Sequence, residues 1–229
     1  MTVQFDQLDR NLKSTCSPVG LVSVPAQSGV YRNILKRAFD LVVILLAAPI
    51  VLFVVLVLAL VVARDGHAPF YWSCRVGKYG KNFRMLKLRT MVPNADSLLE
   101  EHLENNAEAR AEWDSNQKLK NDPRITRLGS FLRKSSLDEL PQLWNVMIGD
   151  MSLVGPRPML PQQRELYPCV AYFALRPGLT GPWQVSDRNE SEFTKRAEYD
   201  WEYNNNLTFL GDIKILARTV SVVLRGTGY

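Results

Sequence analysis

Histidine and cysteine, which build most transition-metal sites, are scarce in this chain of 229 residues. Only His67 and His102 occur, far apart in sequence, which argues against a histidine-based metal site. The cysteines stand at positions 16, 74 and 169. Their odd number and the lack of C-x-x-C spacing argue against a disulfide framework or a zinc site. There is no G-x-x-x-x-G-K phosphate loop, no G-x-G-x-x-G, no G-x-S-x-G, no nucleic-acid-binding signature and no internal repeat. A dominant charge is missing too: 28 Lys+Arg stand against 23 Asp+Glu, a formal charge of +5. That modest excess suits anionic lipid, phosphorylated substrates or nucleic acid without choosing among them.

Residues 41–63, LVVILLAAPIVLFVVLVLALVVA, contain no charge at all. About 20 apolar residues cover the hydrocarbon core of a bilayer, so this run is a membrane-helix candidate. Buried helices of soluble proteins seldom run this long without a polar face. The run also starts too far from Met1, and is too long, for the core of a cleaved signal peptide. Pro49 lies inside it; proline removes a backbone donor and clashes with the preceding turn, so a kink is expected there. Both flanks are basic, with Arg32, Lys36 and Arg37 before the run and Arg64, Arg75, Lys78 and Lys81 after it. Basic flanks favour the cytoplasmic side. A straight span exports one of them, whereas a helix that bends at Pro49 and returns exports neither. Proline is tolerated in ordinary spans, so both arrangements stay open on sequence physics.

The rest of the chain reads as an α+β domain, mainly helical. The sequence divides into an expected poorly ordered arm at 1–31, the membrane-helix candidate at 32–64, a main folded domain at 65–206 and an amphipathic C-terminal helix at 207–229. The stretches PFYWSCRVG and NFRMLKLRTM read as strands around a turn at residues 78–81. Residues 95–120 read as a solvated helix or helix pair. Residues 149–182 hold six prolines and four glycines, so that segment should be loop-rich. Near the C-terminus, Phe209, Leu210, Ile213, Leu216, Val220 and Leu224 fall close to one stripe, with Lys214, Arg218 and Arg225 outside it. Such a helix packs on a core or lies on lipid.

Polar residues gather around SSLDELPQL, residues 135–143. Ser136 and Glu139 match a capping box, the acidic start of a helix. Asp138 and Glu139 also match a catalytic pair, and the two readings compete. Lys87 and Arg89 alternate in MLKLRTM and share a face if that segment is a strand. Arg133 stands five residues before Asp138, and Arg157 sits between Pro156 and Pro158, which restrict where it points. A restricted arginine suits phosphate oxygens, and a helix N-terminus binds phosphate. The same positive potential should keep Asp138 ionised.

With KRAFD, RVGKYGKNFRMLKLRTM, DPRITRLGSFLRKSSLDELPQLWNVMIGDMSLVGPRP and RPGLTGPWQVSDRNE, the chain resembles the bacterial sugar transferase family from about residue 32 to 229. These are monotopic polyprenyl-phosphate phosphoglycosyl transferases of the bacterial inner membrane. The short form looks most like those that start exopolysaccharide assembly with galactose or glucose phosphate. The resemblance implies a re-entrant membrane helix broken at Pro49, with the catalytic domain at the cytoplasmic interface. Ala48 replaces the serine that often precedes this proline.

The resemblance also implies a reaction. A sugar 1-phosphate passes from a UDP-sugar to undecaprenyl phosphate, and UMP leaves. Asp138 is the implied nucleophile and Mg²⁺ ligand, and Glu139 positions metal or accepts a proton. Lys87, Arg133 and Arg157 bind substrate phosphates. Leu88 stands where the family has Phe, and Asp187 where it has Gly. Expected partners are the UDP-sugar, undecaprenyl phosphate and the bilayer, with no nucleic acid; a homo-oligomer is compatible with the sequence. Two alternatives remain: direct transfer with Asp138 only binding metal, and a membrane-anchored assembly or lipid-binding protein without chemistry.

Overall fold

A computed structural model describes residues 28–116, 119–165, 167, 169–186 and 195–224. Most of the N-terminal arm, and Asp187, lie outside this range. A π-helical turn, Tyr31–Leu35, leads into helix α1, Lys36–Val62. A hairpin follows, β1 Phe70–Val76 and β2 Asn82–Leu88. Next come the solvated pair α2 Ala95–Asn105 and α3 Ala107–Asn116, then α4 Arg127–Lys134. A 3-10 turn, Leu137–Gln142, runs into α5 Leu143–Ile148. Strand β3 Ser152–Val154, the short α6 Ala171–Ala174 and β4 Gly178–Thr180 occupy the proline-rich segment. Helices α7 Arg196–Asn205 and α8 Phe209–Leu224 complete the described chain. The protein is mainly helical, with small two-stranded sheets.

Helix α1 stays helical on both sides of Pro49, so the residues expected to break are assigned as one helix. Its middle is bare: Leu45, Leu46, Ile50, Leu52 and Phe53 are each at least 68% exposed. Apolar area of that kind is unfavourable in water, at about 25 cal/mol per Å², and suits lipid. The two ends of α1 are instead seated on the folded domain. Buried Asp40 accepts hydrogen bonds from Ser152 Oγ (2.8 Å) and the Leu153 amide (3.2 Å), and Ile44 joins the main core with Val146, Leu153 and Val154. At the far end, Ala59 and Val62 pack with Leu88 and Leu132.

Helix α8 locks to the start of α1 through a fully buried carboxylate. Asp212 accepts from Lys36 Nζ (2.5 Å), Tyr31 Oη (2.6 Å) and Tyr203 Oη (2.6 Å). Ile215 and Leu216 pack on the main core. Much of the apolar stripe expected from the sequence is exposed, at Leu210, Ile213 and Val220, while the half-exposed Phe209 ring packs edge-on against Tyr31 and Phe39. The helix therefore packs by one face and presents a second apolar face outward.

Two local features aim the hairpin and the Arg157 loop. Asn145, fully buried on α5, pairs with the edge of β2: its Oδ1 accepts from the Leu86 amide (2.9 Å) and its Nδ2 donates to the Arg84 carbonyl (2.7 Å). This satisfies a strand edge that would otherwise be open. Strands β3 and β4 pair in parallel, and a Cβ at Gly155 would lie 2.3 Å from the Arg176 carbonyl oxygen and 2.9 Å from the Gly178 nitrogen. Only glycine permits that approach, which positions Pro156 and Arg157 just beyond β3. Cys169 is free.

Candidate active site

Asp138 and Glu139 sit at the start of the 3-10 turn, not in an α-helix. Ser136, just before it, has φ 57° and makes no side-chain cap hydrogen bond, so the expected capping box does not form. Glu139 turns instead to β2. Lys87 Nζ donates to Glu139 Oε1 at 2.7 Å and lies 3.5 Å from Asp138 Oδ2. One amine thus bridges two neighbouring carboxylates, and all three side chains are largely buried.

Opposing electrostatic influences meet at Asp138. Burial raises the Asp138 pKa above its ordinary value; Lys87 opposes this, Glu139 reinforces it, and Arg133 opposes it more weakly. The nearby cations therefore do not outweigh desolvation, although they limit it. Arg133 is held by Thr90, whose Oγ1 accepts from Arg133 Nε at 2.9 Å. The Thr90 carbonyl also accepts from the Thr126 amide (3.1 Å), and Thr126 caps α4 by accepting from the Gly129 amide (2.8 Å). This chain of contacts fixes α4, and with it Arg133, beside the end of β2.

Arg157 and Glu139 line one cavity. The Arg157 guanidinium lies 5.8 Å from the centre of the Trp183 ring, and Lys87, Arg75, Gln142 and Gln184 line the same cavity. The structure thus brings Lys87, Asp138 and Glu139 into contact, with Arg133 near enough for its charge to act on Asp138 and Arg157 lining a cavity with Lys87 and Glu139. Pro49 lies apart, exposed in the middle of α1. Arg89 goes elsewhere: β2 ends at Leu88, and Arg89 bonds Asp65 Oδ1 (2.7 Å) and the Val62 carbonyl (3.2 Å) at the end of α1.

Sequence reasoning missed Thr90, Arg75, Gln142 and Gln184. The hairpin register explains Arg75: Tyr71 pairs with Lys87 and Arg75 with Phe83, so Arg75 and Lys87 share a face. Gln142 is buried, and its sequence signal is a polar residue amid the apolar run of LPQLW. Its Nε2, the Arg75 Nε and the Gln184 Oε1 are buried without a hydrogen-bond partner. Buried polar atoms of that kind ordinarily have partners, and all three residues line this cavity, which makes it the candidate place for a polar ligand.

Neighbouring carboxylates clasped by a lysine thus share a cavity wall with Arg75 and Arg157, in a domain that also roots an exposed apolar helix. The family model for bacterial sugar transferases matches residues 31–226, and the chain belongs to that family. It is 50% identical over 196 residues to the UDP-galactose-lipid carrier transferase of Erwinia amylovora, covering 85% of this chain and 41% of that one. It is 48% identical over 201 residues to the undecaprenyl-phosphate galactose phosphotransferase of Salmonella typhimurium, covering 85% and 41%. The exopolysaccharide production protein ExoY of Sinorhizobium fredii is 43% identical over 214 residues, covering 90% of this chain and 93% of the relative. The chain therefore spans about two-fifths of the first two relatives and nearly all of the third.

Proposed function

We propose that this protein transfers a hexose 1-phosphate, galactose or glucose, from its UDP derivative to undecaprenyl phosphate. This is the first membrane step of exopolysaccharide synthesis. The observation that carries the reading is the Lys87 bridge between Asp138 and Glu139, in a cavity shared with Arg157. The names of the relatives supply the substrate class.

In the first half, an Asp138 carboxylate oxygen attacks the sugar-bearing phosphorus. The phosphorus–oxygen bond to UMP breaks, and UMP leaves with the electron pair. In the second half, an oxygen of undecaprenyl phosphate attacks the same phosphorus and Asp138 is released as carboxylate. Where the acceptor arrives singly protonated, Glu139 takes the proton. Lys87 and Arg133 offset the repulsion between an anionic nucleophile and an anionic diphosphate, and Arg157 binds phosphate oxygens. Asp138 and Glu139 offer the hard oxygen donors that fit Mg²⁺, which takes one or two carboxylates together with substrate phosphates. No cluster of three or more His, Cys, Asp or Glu suited to a metal occurs among the described residues. Bound there, Mg²⁺ would neutralise diphosphate charge.

Helix α1 is read as re-entrant in the inner membrane, with the domain at the cytoplasmic face. Support comes from the two ends of α1, which pack on the same domain while the middle is exposed. The outward apolar face of α8 adds a second contact with lipid.

The function is tested in purified membranes with UDP-galactose and UDP-glucose. UMP release without acceptor, at most about one equivalent per site, and label from the sugar phosphate on Asp138 are expected, as for a covalent intermediate. Asp138→Asn abolishes both. Product formation with no acceptor-free UMP and no labelled protein rejects the covalent step and reassigns Asp138 to metal binding.

A further inference from the structure

We infer that Arg75 and Arg157 form one phosphate-monoester subsite used twice in each turnover, first by the departing UMP and then by the incoming undecaprenyl phosphate. The inference rests on the transfer reading above and assigns Arg75 a substrate-binding role.

Geometry comes first. Arg75 projects from the hairpin face that carries Lys87, and both line the cavity with Glu139 and Arg157. The cavity measures about 30 Å³, room for about two water-sized groups. It admits phosphate oxygens but neither a base nor a sugar ring. Lys87 is already committed to the two carboxylates. Arg75 makes one long hydrogen bond, Nη1 to the Pro158 carbonyl at 3.4 Å, and its buried Nε has no partner. Among the described residues, no carboxylate lies within ion-pair distance of Arg75 or Arg157. Two guanidiniums in one largely buried site repel, and burial and the Arg157 charge both lower the Arg75 pKa. An anion between them removes that repulsion, and the unpartnered Gln142 Nε2 offers it a neutral donor.

Chemistry then identifies the anion. In each half of the transfer, the group opposite Asp138 on the reacting phosphorus is a phosphate monoester. UMP leaves from that position and undecaprenyl phosphate enters it. Uridine and polyprenyl chain share nothing else, so a subsite that reads only the monoester serves both.

The test uses the full chain in lipid nanodiscs. UMP and uridine affinities are measured by calorimetry, and KM is measured for the UDP-hexose and for undecaprenyl phosphate. Arg75→Gln should weaken UMP binding about 10- to 100-fold, the range for losing a charged hydrogen bond. Uridine affinity should stay unchanged, and both KM values should rise. Arg75→Lys should recover part of the loss. Gln142→Glu, which leaves the hairpin intact and puts negative charge into the cavity, should also weaken UMP binding and spare uridine. Unchanged UMP affinity in both Arg75→Gln and Gln142→Glu, or a KM change for one substrate only, overturns the inference. Absence of UMP release by the unmodified protein with both UDP-hexoses sinks the transfer reading instead.

Discussion

Replacing Lys87 with methionine tests the centre of the site, because one amine serves both carboxylates. The change keeps most of the apolar stem and removes a donor 2.7 Å from Glu139 and 3.5 Å from Asp138. A hydrogen bond between charged partners contributes about 1.5–3 kcal/mol, so kcat/KM should fall about 10- to 100-fold. The pH dependence is more diagnostic. Lys87 is the leading charge that holds the Asp138 pKa down; without it, burial and Glu139 both act upward. Asp138 must be ionised to attack, so the acid limb of the kcat/KM profile should move to higher pH. Stability should follow the same sign: a carboxyl with a raised folded pKa loses stability as pH rises, so the loss in Tm should be larger at pH 8 than at pH 5. UMP release in buffers of constant ionic strength, with thermal unfolding in the same buffers, measures both. Lys87→Arg keeps the charge and should leave the limb near its original place, while losing rate through its different geometry. An acid limb that stays fixed or moves down in Lys87→Met would refute the electrostatic role.

Topology is tested by single cysteines placed near each end of α1, in a background without the native thiols. Both ends should label from the cytoplasmic side only, and periplasmic labelling near residue 66 would establish a straight span. Asp200 offers a second pH signature. Burial raises its pKa to about 7, against the Tyr167 hydroxyl that donates to it and the Arg196 charge. Its folded pKa lies about three units above the unfolded value, so the folded state keeps the proton longer. Stability should therefore fall by on the order of 4 kcal/mol between about pH 4 and pH 7 from this group. Asp200→Asn should flatten that part of the Tm profile, and an unaltered slope would show that the carboxyl does not titrate there.

Local chemistry made several elements readable in the sequence. An uncharged run of apolar residues cannot be satisfied in water, so α1 was visible from composition alone. Alternating apolar residues around Lys78–Gly80 defined the hairpin, whose boundaries differ from expectation by at most three residues. The dense acidic and basic motifs marked Asp138, Glu139, Lys87, Arg133 and Arg157. Partnership was a different matter. Lys87 and Glu139 are 52 residues apart, and their contact depends on the packing of β2 against the 3-10 turn. Ser136 had the residue type for a cap, but its positive φ places it in a left-handed turn that residue type alone does not announce. Arg75 read as one more basic residue after a membrane run, because strand register cannot be read from one strand. The stripe on α8 was visible, yet which apolar face met the domain depended on the position of buried Asp212 between Lys36, Tyr31 and Tyr203. Sequence thus determined the elements, whose causes act within a few residues. Tertiary structure decided which charges meet, because contact, burial and dielectric are set by chain segments far apart in sequence.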